Sequence, residues 1–298
     1  MSNICAPHKY DPNNKTCFTI EQLLEMANAY NRYLVKNNFS PQKNHINANL
    51  IKIKKDKSYL LKELLSRFKN ICQDDQVCLT KQSFMNEIVK EMHDEFSNHT
   101  FRPVGPADPT QWLGTSDIDY ILKQYEKIHP QFLFLGAVPL DCNDYSFCQL
   151  HQLDFDEIQN NGKKYVGIIF NHDKYGQPGS HWVALYIDFL KGEINYADST
   201  GKEPVGNIKT IIQDFNDYFQ KKYHKKPLYT YNNIKYQKDN SECGIYSINF
   251  IIRRLSGEKF ESVIKNSLSF KEINSCRNVY FRNMPSSHKP VSLCDPKI

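Results

Sequence analysis

The sequence lacks any apolar run long enough to cross a membrane, and its first ten residues contain no apolar signal region. Internal repeats and low-complexity tracts are also missing. Of the 298 residues, 40% are hydrophobic and 24% are charged, close to globular averages, which argues against wholesale disorder. We therefore expect a soluble, cytoplasmic protein with one large or two modest domains.

Cysteine is present in an odd number and at irregular spacing. The nine cysteines are at positions 5, 17, 72, 78, 142, 148, 243, 276 and 294. Without a secretory signal, this pattern predicts reduced thiols. Cys72/Cys78 and Cys142/Cys148 are spaced more widely than zinc ligands usually are, and no histidine pair completes a set, so we expect no metal. All of the cysteines except Cys243 are interpreted as structural thiols.

The first part of the chain has the apolar periodicity of helices. Three segments show it: 19–35, 57–68 and 82–96. Residues 102–109 then include three prolines, which cannot all join one helix or one sheet ladder. The sequence thus predicts a helical N-terminal domain over 1–105 and a second domain over 106–298.

The positive charge is concentrated in the first part. Residues 1–105 hold 15 Lys and Arg against 11 Asp and Glu, whereas the rest holds 23 against 22. A basic stretch at 52–57 can contact nucleic acid or an acidic partner such as a capsid protein. A solvated helix face or loop is the interpretation we favour for it.

The second part of the chain mixes strands and helices. The predicted strands are 132–135, 165–170, 181–187, 193–197 and 228–236. One predicted helix begins at Thr115, as N-cap, and ends near His129. Two others cover 205–223 and 243–255, and two shorter helices follow to about residue 283. This order predicts an α+β layer structure.

The most informative cysteine is Cys243, which follows a polar loop and opens the apolar helical run 243–255. The positive end of a helix dipole and a nearby imidazolium both favour a nucleophilic thiolate. Gln237 lies six residues upstream, where its side-chain amide can donate to a developing oxyanion beside the backbone N–H of Cys243.

Two further residues complete a candidate thiol hydrolase. His181 begins one predicted strand and Asp198 follows the next, with sixteen residues between them. If these strands are antiparallel neighbours, the carboxylate lies beside the imidazole and orients it as a general base for Cys243. Each residue alone has a plain structural explanation, and only the joint order His, Asp, Cys supports catalysis.

Three motifs resemble a known family. His-Trp-Val-Ala-Leu at 181–185, Tyr-Ala-Asp-Ser at 196–199 and Gln-x5-Cys-Gly at 237–244 are similar to the ubiquitin-like-protein cysteine proteases, which include SUMO-specific proteases and the adenovirus maturation protease. The resemblance covers roughly 110–283. It implies a papain-like, adenain-like α+β core, with a central mixed sheet flanked by helices, after an N-terminal helical domain. Glu242 replaces an Asp common in cellular members, and we expect little consequence.

Carried over to this sequence, the resemblance implies the roles of eight residues. The implied catalytic residues are His181, Asp198, Cys243 and Gln237, and the implied substrate-binding residues are Trp182, Trp112, Leu113 and Gly244. In the family, the tryptophan after the histidine covers a narrow tunnel that admits Gly-Gly. No cofactor and no metal are implied.

The helical region before such a core resembles the polyprotein-processing protease of African swine fever virus and similar large DNA viruses. We therefore expect a cysteine endopeptidase that cleaves after Gly-Gly in a viral structural polyprotein or a ubiquitin-like precursor, in the host cytoplasm and virion. Three different functions stay open: a deSUMOylating isopeptidase, an acetyltransferase, and a non-enzymatic binding module built on 1–105. The acetyltransferase would need coenzyme A, yet the sequence shows no phosphate-binding signature.

Overall fold

A computed structural model describes residues 4–37, 49–108, 110–284 and 289–296. Pro109, the last residue of the predicted interdomain segment, lies outside these ranges. The chain divides into two compact units, Met1–Arg102 and Pro103–Ile298, and each has its own hydrophobic core. Among the described residues, no helix is both long and apolar enough to cross a membrane.

The first unit consists of helices and tight turns. Its helices are α1 Ile20–Asn37, α2 Lys57–Arg67, α3 Lys69–Cys72 and α4 Gln76–Leu79. The helix predicted over 82–96 is wrong: 3₁₀ turns cover Ser83–Glu87 and Lys90–Met92, and a π turn covers Glu95–His99. Ile88 and Val89 have extended backbone (ψ of 139° and 140°), so the chain turns there to bury Phe84 and Ile88.

The cysteines also differ from the prediction of reduced thiols. Four disulfides join Cys5 to Cys17, Cys72 to Cys78, Cys142 to Cys148, and Cys276 to Cys294. Their paired Cα atoms lie 5.0 to 5.6 Å apart, within the range that a disulfide requires. Tertiary folding brings these residues together, and the spacing along the sequence did not reveal it. Cys243 remains free and is buried.

The second unit contains a mixed sheet of five strands. They are β1 Phe132–Val138, β2 Tyr165–Asn171, β3 Trp182–Asp188, β4 Glu193–Ala197 and β5 Leu228–Tyr231, and they lie side by side in chain order. Strands β2, β3 and β4 are antiparallel neighbours, whereas β1 and β5 run parallel to the strands beside them. Each predicted strand is present within a few residues, except that β5 ends at Tyr231 instead of 236.

Helices cover both faces of this sheet. They are α5 Thr115–Ile128, α6 Phe155–Asn160, α7 Asn207–Tyr223, α8 Cys243–Leu255, α9 Phe260–Lys265, α10 Phe270–Ser275 and α11 Arg277–Tyr280. Ala184 and Tyr186 of β3 face α5 and α8, whereas Val183 and Leu185 face α6 and α7, because alternate side chains of a strand point to opposite faces. The predicted α+β class is therefore correct.

Two helix starts bear on the site. Gly114 caps α5, and its backbone N–H donates to Asp117 Oδ2 at 2.8 Å, so Thr115 is the first helical residue and not the N-cap. Cys243 is the first residue of α8, whose first twelve residues are all buried. A helix that is apolar on most sides belongs in the core, and this one carries the free cysteine into the centre of the unit.

Candidate active site

The sheet brings the predicted histidine and aspartate together. His181 directly precedes β3 and Asp198 directly follows β4. The antiparallel register pairs Ala184 with Ala197, so the start of β3 and the end of β4 lie side by side. His181 Nε2 lies 2.6 Å from Asp198 Oδ1. The side-by-side placement predicted from the strand pattern is what the structure shows.

Cys243 completes the cluster from the helix side. It shares the core on one face of the sheet with residues of β3, and its side chain is close enough to the His181 imidazole to raise the pKa of that ring. Because Asp198 engages Nε2, Nδ1 is the ring nitrogen left for the sulfur. The three residues therefore form one line from carboxylate through imidazole to sulfur, the arrangement that nucleophilic thiol chemistry requires.

The electrostatics of this line favour a charged imidazole. Burial alone lowers the pKa of His181, but its hydrogen bonds to Asp198 and Cys243, with their negative charges, outweigh burial and raise it to about 9. Burial raises the pKa of Asp198, yet its hydrogen bond to His181, the imidazole charge and two bonds from Thr200 bring it below its usual value. At neutral pH the pair is thus an imidazolium beside a carboxylate.

Two residues that the sequence did not single out hold Asp198 in place. Thr200 donates to Asp198 Oδ1 from both its backbone N–H (2.7 Å) and its hydroxyl (2.8 Å). Asn232 accepts from the Asp198 backbone N–H at 2.8 Å and donates to the Asp198 carbonyl at 2.6 Å. The Asn232 amide thereby takes the place of a sheet ladder after β5 has ended, which explains why this strand is shorter than predicted.

Asn232→Ala is expected to lower the free energy of unfolding by about 1 to 3 kcal/mol, because two buried backbone groups of Asp198 lose their partners. Urea unfolding of the folded protein measures this change. Asn233→Ala is the matched control, since Asn233 is the next residue and is exposed. Equal stability of the two variants would contradict the role given to Asn232.

Gln237 is buried beside Ser199, the residue that follows Asp198. Its Oε1 accepts from the Ser199 hydroxyl at 2.5 Å, and its Nε2 donates to the Asp239 carbonyl at 2.6 Å. The backbone N–H of Gln237 also donates to the Ser199 carbonyl at 3.0 Å. These bonds orient the amide and leave Nε2 with a second hydrogen. The sequence singled out Gln237 but not Ser199, which positions it.

Three of the four predicted substrate-binding residues are in contact. The Trp182 indole N–H donates to the Leu113 carbonyl at 2.8 Å. Leu113 packs on Gly244 so closely that a Cβ on Gly244 would lie 3.2 Å from the Leu113 Cβ. Trp112 is 45% exposed, and it lines, with Leu113 and Trp182, a cleft of about 600 Å³. Leu113 therefore links one side of this cleft to Gly244, the residue that follows Cys243.

A second histidine, a buried glutamate and a buried arginine also belong to this region. The His172 ring packs against the His181 ring at 5.1 Å, and burial followed by the His181 charge lowers the pKa of His172. Glu242 and Arg277 are each 1% exposed, and the Arg277 guanidinium donates to the Ser241 carbonyl at 3.2 Å. Asn274 lies between them: its Nδ2 donates to Glu242 Oε1 at 3.4 Å, and its Oδ1 accepts from Arg277 Nε at 3.2 Å. Glu242, the one departure from the family motif, is thus linked to Arg277 through an amide. No sequence pattern pointed to Arg277.

Within the described ranges, no group of three or more His, Cys, Asp and Glu side chains could hold a metal ion.

The chain is similar to viral and cellular cysteine proteases. The model of the Ulp1 protease family, C-terminal catalytic domain, matches residues 154–284. A protein of Acanthamoeba polyphaga mimivirus, named as a candidate thiol protease, is 53% identical over 296 residues, which is 99% of this chain and 98% of that one. A cysteine protease of African swine fever virus is 25% identical over 198 residues, or 61% of this chain and 72% of that one.

The fold is also that of a solved structure. The crystal structure of the African swine fever virus protease has a TM-score of 0.61 to this chain at 19% identity, and the match covers 94% of this chain and 96% of that one. The similarity confirms the predicted fold class. A relative of 53% identity along nearly the whole chain, together with the match from 154 to 284, shows that the chain belongs to the Ulp1 family of thiol proteases.

Proposed function

We propose that this thiol protease is an endopeptidase that cleaves polypeptides after Gly-Gly. The observation that carries the proposal is the cluster of Asp198, His181 and Cys243, together with the packing of Gly244, the next residue, against Leu113, which lines a cleft. A polypeptide that follows this cleft would bring its main chain past Gly244 to the sulfur.

The chemistry follows from the placement of the groups. The Cys243 thiolate attacks the carbonyl carbon of the second glycine and a C–S bond forms. The scissile C–N bond then breaks as the His181 imidazolium gives its proton to the leaving amine. A water molecule then loses a proton to the imidazole and attacks the acyl-enzyme, and the C–S bond breaks to release a carboxylate. The second hydrogen of Gln237 Nε2 and the backbone N–H of Cys243 would donate to the oxyanion in both steps.

The preference for glycine follows from the close packing of side chains beside the nucleophile. A Cβ on Gly244 would lie 3.2 Å from the Leu113 Cβ, closer than an ordinary contact, so Leu113 packs tightly beside the residue that follows Cys243. The Leu113 carbonyl in turn anchors the Trp182 indole. A substrate segment without side chains passes between such groups most easily, and glycine is the only residue that lacks a Cβ.

We favour a viral structural polyprotein as the substrate, processed in the host cytoplasm or the virion, because the relatives that match most of this chain are viral. A ubiquitin-like precursor or conjugate is the other substrate class. An African swine fever virus relative, 26% identical over 197 residues, carries the name SUMO-1 cysteine protease. Release of a folded ubiquitin-like domain from a lysine side chain, with no cleavage of linear polyprotein, would favour the isopeptidase.

An acetyltransferase and a non-enzymatic binding module have less support from the structure. The charged residues lining the cleft are one lysine and two aspartates, a poor match to the phosphates of coenzyme A. In the basic stretch 52–57, Lys57 pairs with Asp11 at 3.1 Å and Lys54 lies over the Tyr59 ring. These contacts within the unit agree with the solvated face we favoured over a nucleic-acid or capsid contact.

A panel of peptides that differ only at the two glycines tests the proposed specificity. We expect cleavage after Gly-Gly, and replacement of either glycine by alanine should lower kcat/KM by about 100-fold or more, since a misplaced main chain loses the attack geometry. Mass spectrometry of the products identifies the cleaved bond. Two controls accompany this panel. A Gly-Gly aldehyde should label Cys243, and incubation with acetyl coenzyme A should give no acetyl-enzyme. Equal cleavage of all peptides would refute the proposal.

A further inference from the structure

A second imidazole lies directly against that of His181. His172 follows the last residue of β2, and His181 precedes the first residue of β3. These strands are antiparallel neighbours that pair Asn171 with Trp182, and the backbone N–H of His172 donates to the His181 carbonyl at 2.9 Å. The strand pairing therefore fixes the two histidines opposite each other.

The two imidazole rings meet edge to face. Their centroids are 5.1 Å apart and their planes are inclined by 71°, a favourable geometry for ring contacts. The torsion that turns an imidazole about its bond to Cβ is soft, so neighbouring groups decide where the ring nitrogens point. A turn of the His181 ring would take Nε2 away from Asp198, which it meets at 2.6 Å. His172 thus occupies one flank of a ring whose orientation the candidate chemistry requires.

The surroundings of His172 favour a neutral ring. Its Nε2 atom is buried and has no hydrogen-bond partner in the part of the chain that the structure describes. A charged imidazole carries a hydrogen on both ring nitrogens, so protonation would leave a buried N–H without an acceptor. It would also place a second positive charge beside the His181 imidazolium.

The charged groups that face His172 do not reverse this preference. Asp198, which follows β4, and Asp173, the next residue in the chain, favour the charged ring. Lys202 and the imidazolium of His181 disfavour it. Burial is the largest of these influences, and the pKa of His172 is lowered. The ring therefore stays neutral until the pH falls below the ordinary pKa of histidine.

We propose that His172 is a positioning residue: its neutral ring holds the His181 imidazole against Asp198, and a proton on His172 releases it. This inference rests on the proposed function, in which His181 transfers the proton. Two neutral or singly charged rings attract each other in the observed geometry, whereas two imidazolium rings repel each other in a half-buried site. Activity should therefore be lost as the pH falls and His172 gains its proton, so His172 contributes to the acid limb of kcat/KM.

Two variants of the full chain test this role with a fluorogenic Gly-Gly peptide. His172→Ala removes the ring and should lower kcat about tenfold with little change in KM. His172→Phe restores a ring that cannot gain a proton. We expect it to recover most of the lost kcat and to move the acid limb to lower pH by about 0.5 unit or more. His151→Phe, at another partly buried histidine of the second unit, is the matched control and should keep the original acid limb.

Alkylation of Cys243 by iodoacetamide gives a second readout that needs no substrate. Cys243 is the free thiol of the described residues, and its rate of alkylation against pH should show the same shift in His172→Phe. A packing defect alone would not move an acid limb, so the shift separates positioning from a purely structural role.

The possible failures are distinguishable. If Gly-Gly peptides are not cleaved but the alkylation limb still shifts in His172→Phe, the proposed specificity is refuted and the role of His172 is supported. An acid limb that is the same in His172→Phe and the unaltered protein would overturn the inference. So would kcat values that are equally low in His172→Ala and His172→Phe, or a limb that shifts as far in His151→Phe.

Discussion

The variant Cys243→Ala is expected to lower kcat/KM for a Gly-Gly peptide by about 10⁴-fold or more, because no other group of the candidate site can form the covalent intermediate. The residual rate would come from substrate binding and the oxyanion donors, which the substitution leaves in place. Peptide cleavage followed at high enzyme concentration measures the loss, and an active-site probe reports whether any acyl-enzyme still forms.

The fold should tolerate this change. Cys243 is 3% exposed, and alanine removes one atom from the first residue of α8. Ser247→Ala, one turn further along the same helix at 4% exposure, is the matched control for a small loss of buried volume. Thermal unfolding should show both variants folded. Similar cleavage by Cys243→Ala and Ser247→Ala would remove Cys243 from the active site.

The variant Asp198→Asn is expected to lower kcat by about 10³ to 10⁴-fold, because the amide no longer supports the charged imidazole or selects its tautomer. It should also change the pH dependence. Burial lowers the pKa of His181, but Asp198 and Cys243 together raise it to about 9, so kcat/KM should fall above that pH as the ring loses its proton. Without the carboxylate the pKa of His181 is lower, and the alkaline limb should move to lower pH.

The same pKa has a consequence for stability. An imidazole whose pKa is about 9 in the folded chain, against 6.5 in the unfolded chain, binds its proton more tightly when folded. The stabilisation is fully present below about pH 6.5 and is lost as the pH rises through about 9. Urea unfolding between these pH values should show a smaller decline for Asp198→Asn. Asp214→Asn, at an exposed residue, is the control for the stability measurement. An alkaline limb of kcat/KM that is the same in Asp198→Asn as in the unaltered protein would contradict the role assigned to Asp198.

The central strands and the helix of Cys243 could be read from the sequence for a physical reason. Strands buried on both faces, such as β3, are continuous apolar runs, and α8 is apolar on most sides. Turn residues separate these runs, so their order along the chain places His181 and Asp198 at strand ends. The structure brings both together with Cys243, and their catalytic roles stay predictions.

The supporting contacts could not be read in the same way. Asn232 and Thr200 act on Asp198 through bonds to the backbone and carboxylate, which leave no periodic pattern in the sequence. The link from Glu242 through Asn274 to Arg277 joins residues that come together only after α10 and α11 have packed. The disulfides depend likewise on tertiary proximity, and the extended residues Ile88 and Val89 interrupt a run with helical periodicity.

Because eight cysteines are paired, the disulfides and the candidate nucleophile Cys243 require opposite redox conditions. Surroundings that preserve four disulfides also oxidise an accessible thiolate to sulfenic and higher acids, whereas strong reductants that restore it attack the disulfides. Burial of Cys243 at the start of α8 lessens this conflict, because a sulfur that is 3% exposed meets oxidants and other thiols rarely. The packing that places Cys243 in the core thus also separates its sulfur from small-molecule redox chemistry.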